Sequence, residues 1–259
     1  MTDAIKLSNV SKRWDDFAIE DMNLQIPKGY ITGFIGPNGA GKSTTIQLIM
    51  DLVKLDRGQI ELLGRDHQQA GKSARDRIGF VYAENVFYEN LTVEAIGRVV
   101  GPFYAKWETD RFHQLCQDFD LPLAKKVKAL STGMKVKLAL ALALSHNADL
   151  IILDEPTSGL DLISDLEKIA DYIVLIQDGR ILMDEAKDDL LDRYRLVKGP
   201  TALLDADTRP LLSGLSETRA GFSGLTQEAA SFQELFGDQV LIEPASLEEI
   251  MVYSLKGGH

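Results

Sequence analysis

Apolar residues come in short runs divided by turn residues over the first third of the chain. Ile5 to Val10, Phe17 to Ile26 and Tyr30 to Ile35 predict strands, and Lys42 to Val53 predicts a helix opened by a glycine-rich turn. Gln59 to Leu63 and Ile78 to Tyr82 predict two more strands. From Thr92 to Leu144 the pattern is helical, broken at Pro102 and Pro122, with Ser131 placed to cap the run from Lys135 to Leu144. Leu150 to Leu153 is apolar throughout, as a buried parallel strand would be, and Tyr172 to Ile176 pairs with Arg180 to Met183 across an Asp178-Gly179 turn. Strands alternating with helices predict an α/β domain with a largely parallel sheet. Its expected span is residues 1–195, with a helical insertion at about 85–148. Beyond Arg195 the chain is richer in Gly, Ser and Thr, and Val240 to Ile242 alternates. The stretch SLEEIMVYSL predicts a helix capped by Ser246, with Glu249 three residues on. Residues 196–259 are therefore expected to form a small α+β appendage.

Composition narrows the class. The 259 residues carry 28 basic and 39 acidic side chains, a formal charge of −11, with 45% hydrophobic and 26% charged residues. These are the values of an ordinary folded domain. The acidic balance argues against a nucleic-acid footprint, which needs clustered Lys and Arg. The single cysteine, Cys116, allows no intrachain disulfide and lies on a helical pattern, so it is expected in a core and in a reducing compartment. No apolar run reaches the roughly 18 residues of a membrane span, and the polar N-terminus does not resemble a signal peptide. Any membrane contact is expected to come through a partner.

Two motifs carry chemistry. Gly36-Pro37-Asn38-Gly39-Ala40-Gly41-Lys42-Ser43, followed by Thr44, matches the phosphate-binding loop G-x-x-x-x-G-K-[ST] between a strand and a helix. Its glycines let the backbone wrap a phosphate with N–H groups pointing inward at the helix N-terminus. Lys42 would reach the β- and γ-phosphates, and Ser43 would ligate Mg²⁺. The run Leu150 to Leu153 then ends in Asp154-Glu155. At the C-terminal edge of a parallel sheet Asp154 would hold the same Mg²⁺, and Glu155 would polarise an attacking water.

Between these motifs lies Leu130-Ser131-Thr132-Gly133-Met134, and after them Pro156-Thr157-Ser158-Gly159-Leu160-Asp161. In that order they resemble the signature and D-loop of an ATP-binding cassette ATPase, the motor subunit of ABC transporters, over about residues 4 to 185. The resemblance implies a P-loop NTPase cassette that binds ATP and Mg²⁺. It implies that Ser131 and the Gly133 N–H contact the γ-phosphate of ATP held by an opposite subunit, with Trp14 stacking on adenine. It also implies a homodimer or a pair of related cassettes, coupled to an integral-membrane permease at the cytoplasmic face of the cell membrane. The wording from Glu84 to Tyr104 is closest to a bacterial branch that pairs with separately encoded exporter-type permeases.

Three departures from the family pattern stand out. LSTGM differs from the usual LSGGQ at its third and fifth positions. Ala83 stands where the family usually has a glutamine that touches Mg²⁺ and water, with Glu84 beside it as a possible substitute. After Asp161 the chain runs directly into Leu162-Ile163-Ser164-Asp165-Leu166, which resembles the helix that follows the family's switch histidine. A helix, a strand and that histidine are missing, and His67, His113, His146 and His259 are each expected at the surface. The expectation is that about 25 to 30 residues, the remainder of one crossover unit, are absent between Asp161 and Leu162. The rival functions are a soluble cassette ATPase acting on ribosomes or DNA, and a nucleotide-gated module that does not turn over.

Overall fold

The computed structural model describes residues 2–82, 87–154 and 167–256. Its strands and helices in chain order are β1 (Asp3–Arg13), β2 (Ala18–Pro27), β3 (Thr32–Ile35), α1 (Lys42–Ile49), β4 (Arg57–Leu62), β5 (Arg65–Asp66), α2 (His67–Arg75), β6 (Ile78–Val81), α3 (Val93–Val100), α4 (Thr109–Asp118), α5 (Thr132–Leu144), β7 (Leu150–Leu153), β8 (Tyr172–Gln177), β9 (Arg180–Ala186), α6 (Lys187–Arg193), β10 (Arg195–Gly199), β11 (Ser213–Thr218), β12 (Gly221–Thr226), α7 (Ala229–Phe236), β13 (Leu241–Pro244) and α8 (Leu247–Lys256). They fall into two compact units. The first takes residues 1–12, 23–28 and 43–160; the second takes 13–22, 29–42 and 161–259.

In the first unit β1 pairs antiparallel with β4 and β4 with β5, with Ile5 opposite Leu62 and Leu7 opposite Ile60. Helix α1 is shorter than the expected run to Val53. Asp51 turns left-handed (φ 56°), and the N–H groups of Leu52 and Val53 fold back on the Gln47 carbonyl, which ends the helix. Leu63 and Gly64 both have positive φ and form the tight turn into β5, a strand too short to leave a pattern in the sequence. The expected helical insertion is α3, α4 and α5 round a core of Val93, Ile96, Phe112, Leu115, Cys116 and Leu138. Burial pushes the Cys116 thiol up to about 11, in line with a packing role.

Strands β6 and β7 pair in parallel, Ile78 opposite Leu150 through Val81 opposite Leu153. The parallel pairing is as expected but the full burial is not. Only Ile152 of β7 is buried and Leu153 is 43% exposed, because β6 is its one strand partner among the described residues. The histidines also depart from expectation. His67 is 3% exposed and His146 is fully buried, stacked on the Tyr104 ring with centroids 3.9 Å apart. An imidazole lying flat on an aromatic ring is largely apolar surface, so packing outweighs its polarity at that position. His113 is half-buried and pairs with Glu94 at 2.9 Å. His259 lies outside the described residues.

The second unit holds two sheets. Strand β3 runs parallel to β8, and β8 pairs with β9 through the expected Asp178-Gly179 turn, both residues left-handed. Beyond them β11-β12-β10-β13 form an antiparallel sheet flanked by α7 and α8. The α+β character expected after Arg195 is present. So is the reciprocal cap on α8: Glu249 N–H donates to Ser246 Oγ at 3.2 Å, and Ser246 N–H to Glu249 Oε2 at 2.9 Å.

Candidate nucleotide site

The phosphate-loop motif crosses from one unit to the other between Lys42 and Ser43, so its two parts have different supports. In the second unit, β3 delivers the chain into Gly36. A β-carbon there would sit 2.2 Å from the Ile176 carbonyl oxygen of β8, so the loop can leave the sheet at this point only as glycine. Pro37, Asn38 and Gly39 are exposed, and the buried Ala40 accepts a hydrogen bond at 2.9 Å from the Gly179 N–H of the β8–β9 turn. Gly41 has φ +107° and lies against Phe17, whose ring tip is 2.8 Å from where a β-carbon would stand. Lys42 Nζ donates to the Gly36 and Pro37 carbonyls at 2.9 and 3.1 Å, which holds the ammonium across the loop.

In the first unit, Ser43 Oγ donates to Asp154 Oδ1 at 3.3 Å. Asp154 is 4% exposed at the end of β7, and its N–H donates to the Val81 carbonyl at 2.9 Å. A hydroxyl and a buried carboxylate, both hard oxygen donors, one on α1 and one at the end of β7, fit Mg²⁺. Thr44 is half-buried in the first turn of α1. The two residues singled out on sequence grounds as metal ligands are thus brought together.

Ser131 caps α5, its side chain accepting from Met134 N–H at 3.2 Å, and Thr132 and Gly133 are exposed at that helix N-terminus. A β-carbon on Gly133 would meet nothing within 4 Å. Trp14 lies in the link between β1 and β2, 38% exposed, with its ring 6.2 Å from Phe17. That link is pinned by Glu20, which accepts from Arg13 at 2.6 Å and from Arg180 at 3.5 Å; the Arg13 guanidinium holds the Glu20 carboxyl below its usual range. Ala83, Glu84, Glu155, Asp161 and Leu162 lie outside the described residues.

Sequence reasoning missed the groups that support the loop. In the sequence Phe17 reads only as part of a strand and Ile176 only as part of a hairpin, and each reaches the loop across a long stretch of chain. Gly179 had a visible signal, since an Asp-Gly turn needs positive φ, but nothing local ties that turn to Ala40.

Comparison with known proteins gives the family. The family model for ABC transporters matches residues 19–158. The bacitracin transport ATP-binding protein BcrA of Bacillus licheniformis is 29% identical over 225 residues, taking in 75% of this chain and 74% of BcrA. The probable multidrug ABC transporter ATP-binding protein YbhF of Escherichia coli is 35% identical over 163 residues. That match takes in 61% of this chain but 28% of YbhF, so the chain spans under a third of that relative. A solved structure of the ATP binding subunit of an ABC transporter superposes with a TM-score of 0.67 at 26% identity, over 73% of this chain and 92% of that one. With the family's nucleotide motifs on the elements that present them, the chain belongs to the ABC transporter family and is one of its ATP-hydrolysing subunits.

Proposed function

We propose that this subunit binds ATP with Mg²⁺ at a dimer interface and uses its hydrolysis to drive an integral-membrane permease from the cytoplasmic face of the membrane. The observation that carries this is the Ser43–Asp154 pair, a cation site built directly onto the phosphate loop. Lys42 and backbone N–H groups of the glycine-rich loop neutralise and orient the phosphates, which is most of what phosphoryl transfer to water requires. Mg²⁺, when bound by Ser43 and Asp154, adds charge neutralisation at the phosphate oxygens. Glu155 orients the attacking water. Trp14 stacks on adenine, and Ser131 with the Gly133 N–H completes the site of a second copy or a related cassette. The exposed N-terminus of α5 supports that last role, since it leaves both groups open to a partner. Membrane contact is through the permease alone, and nucleic acid is not a direct partner.

The sequence is also proposed to lack one crossover unit at Asp161 to Leu162. BcrA aligns over 225 residues with 75% of the 259-residue chain, about 194 residues, so about 30 aligned positions of BcrA have no residue here. The shorter YbhF match, 163 residues against 61% of the chain or about 158, leaves about 5.

The test is a pair of substitutions at groups with different tasks. Lys42→Ala is expected to lose ATP binding, whereas Glu155→Gln keeps binding, stops turnover and traps an ATP-bound dimer. Turnover in Glu155→Gln equal to that of the parent would remove Glu155 from catalysis.

A further inference from the structure

Ile35, the residue before Gly36, is buried in one core with Ile173 and Leu175 of β8 and with Leu247 and Ile250 of α8. The strand that feeds the phosphate loop and the last described helix therefore contribute side chains to the same core. A chain of hydrogen bonds runs beside this core. The first N–H groups of a helix have no partner within it. At α8, Glu249 and Ser246 serve each other, and Leu247 N–H donates to Glu167 Oε2 at 3.1 Å, 80 residues earlier. The Glu167 carbonyl accepts from Lys187 Nζ at 2.7 Å, and Lys187 N–H donates to the Asp171 carbonyl at 2.9 Å. Asp171 Oδ2 accepts from the Ile31 N–H at 2.7 Å, one residue before β3 begins. Each link joins groups of the second unit.

We propose that Glu167 is a positioning residue that couples the docking of α8 to the geometry of the phosphate loop. The inference rests on the reading of that loop as an ATP site. Glu167 fixes the start of α8 at one end of the hydrogen-bond chain, and Asp171 fixes the start of β3 at the other. Ile35 belongs to the core that α8 also lines. A shift of α8 disturbs the core that Ile35 shares with Leu247 and Ile250, because a close-packed interior transmits displacement. Coupling of this kind is reciprocal, so ATP in the loop must in turn steady the start of α8.

Hydrogen exchange on the full chain, with and without ATP and Mg²⁺, reads both ends at once. ATP is expected to slow exchange at residues 36–44 and also at 247–250. Glu167→Ala is expected to abolish the second effect and weaken affinity for a fluorescent ATP analogue about fivefold or more. Glu167→Gln, which keeps an acceptor for Leu247 N–H, is expected to return affinity to within about twofold of the parent. A cap that adds only stability would lower the melting temperature of Glu167→Ala and leave the affinity of its folded fraction unchanged, which overturns the proposal. Slowed exchange at 36–44 without any change at 247–250 in the parent overturns it too, and decides the matter even if Glu167→Ala does not fold. No slowing at 36–44 would remove the ATP reading and the coupling with it.

Discussion

His146 places both ring nitrogens in a fully buried site where neither has a hydrogen-bond partner among the described residues. Burial lowers its pKa below 6.5, and does the same to His67. Between the folded and unfolded values the unfolded chain binds more protons, so stability rises with pH there. The contribution is complete above the unfolded value near 6.5 and is lost as pH falls below it. Thermal unfolding at pH 7.5 and 5.5 should show a drop in melting temperature at the lower pH. His146→Phe, which keeps a ring on Tyr104 but cannot titrate, should shrink that drop by about 2 °C or more. Comparing the two pH values for one variant cancels any packing cost of the larger ring. A drop of the same size in both proteins would place the titration elsewhere.

At the scale of elements, caps and turns were legible because their chemistry is local. Ser131 reads as the cap of the run from Lys135 and Ser246 as a cap with Glu249 three residues on, and both side chains accept an N–H three residues ahead, from Met134 and Glu249. The Asp178-Gly179 hairpin was equally local. What was not legible depended on distant chain. The end of α1 follows from the left-handed Asp51, the exposure of Leu153 from how few strands flank β7, and the burial of His146 from a ring 42 positions away in sequence. For α8 the cap carries a measurable cost: Ser246→Ala should destabilise the protein by about 1 kcal/mol in denaturant unfolding. A smaller loss would mean that Glu167 and Glu249 hold the helix start without the hydroxyl.

For the whole molecule, the nucleotide motifs were readable because each lies within a few residues, whereas the frame that supports them is assembled from residues 17, 176 and 179. The proposed gap at Asp161 to Leu162 also belongs to this scale. Intact-protein mass spectrometry of the natural gene product should give a chain longer than 259 residues by one crossover unit, roughly 30 residues, with a histidine shortly before Leu162. A mass equal to that of the 259 residues would overturn the proposed gap. The helices of the expected insertion share a core round Phe112, while beyond Arg195 one core gathers round Phe232 and Phe222 and another joins Leu247 and Ile250 to Ile35 and Ile173.

The glycines of the site carry a consequence for how the sequence can drift under selection. Gly36, Gly41 and Gly179 are held by the fold itself, since a methyl group on each would strike backbone or a ring of the same chain. Gly133 is held by nothing in its own chain: its φ is ordinary and the space above it is open. In a library of variants scored first for folding and then for transport, the first three should fail at the folding stage. Gly133 should pass it and fail only at the second, so intolerance there would be the imprint of a surface belonging to another molecule.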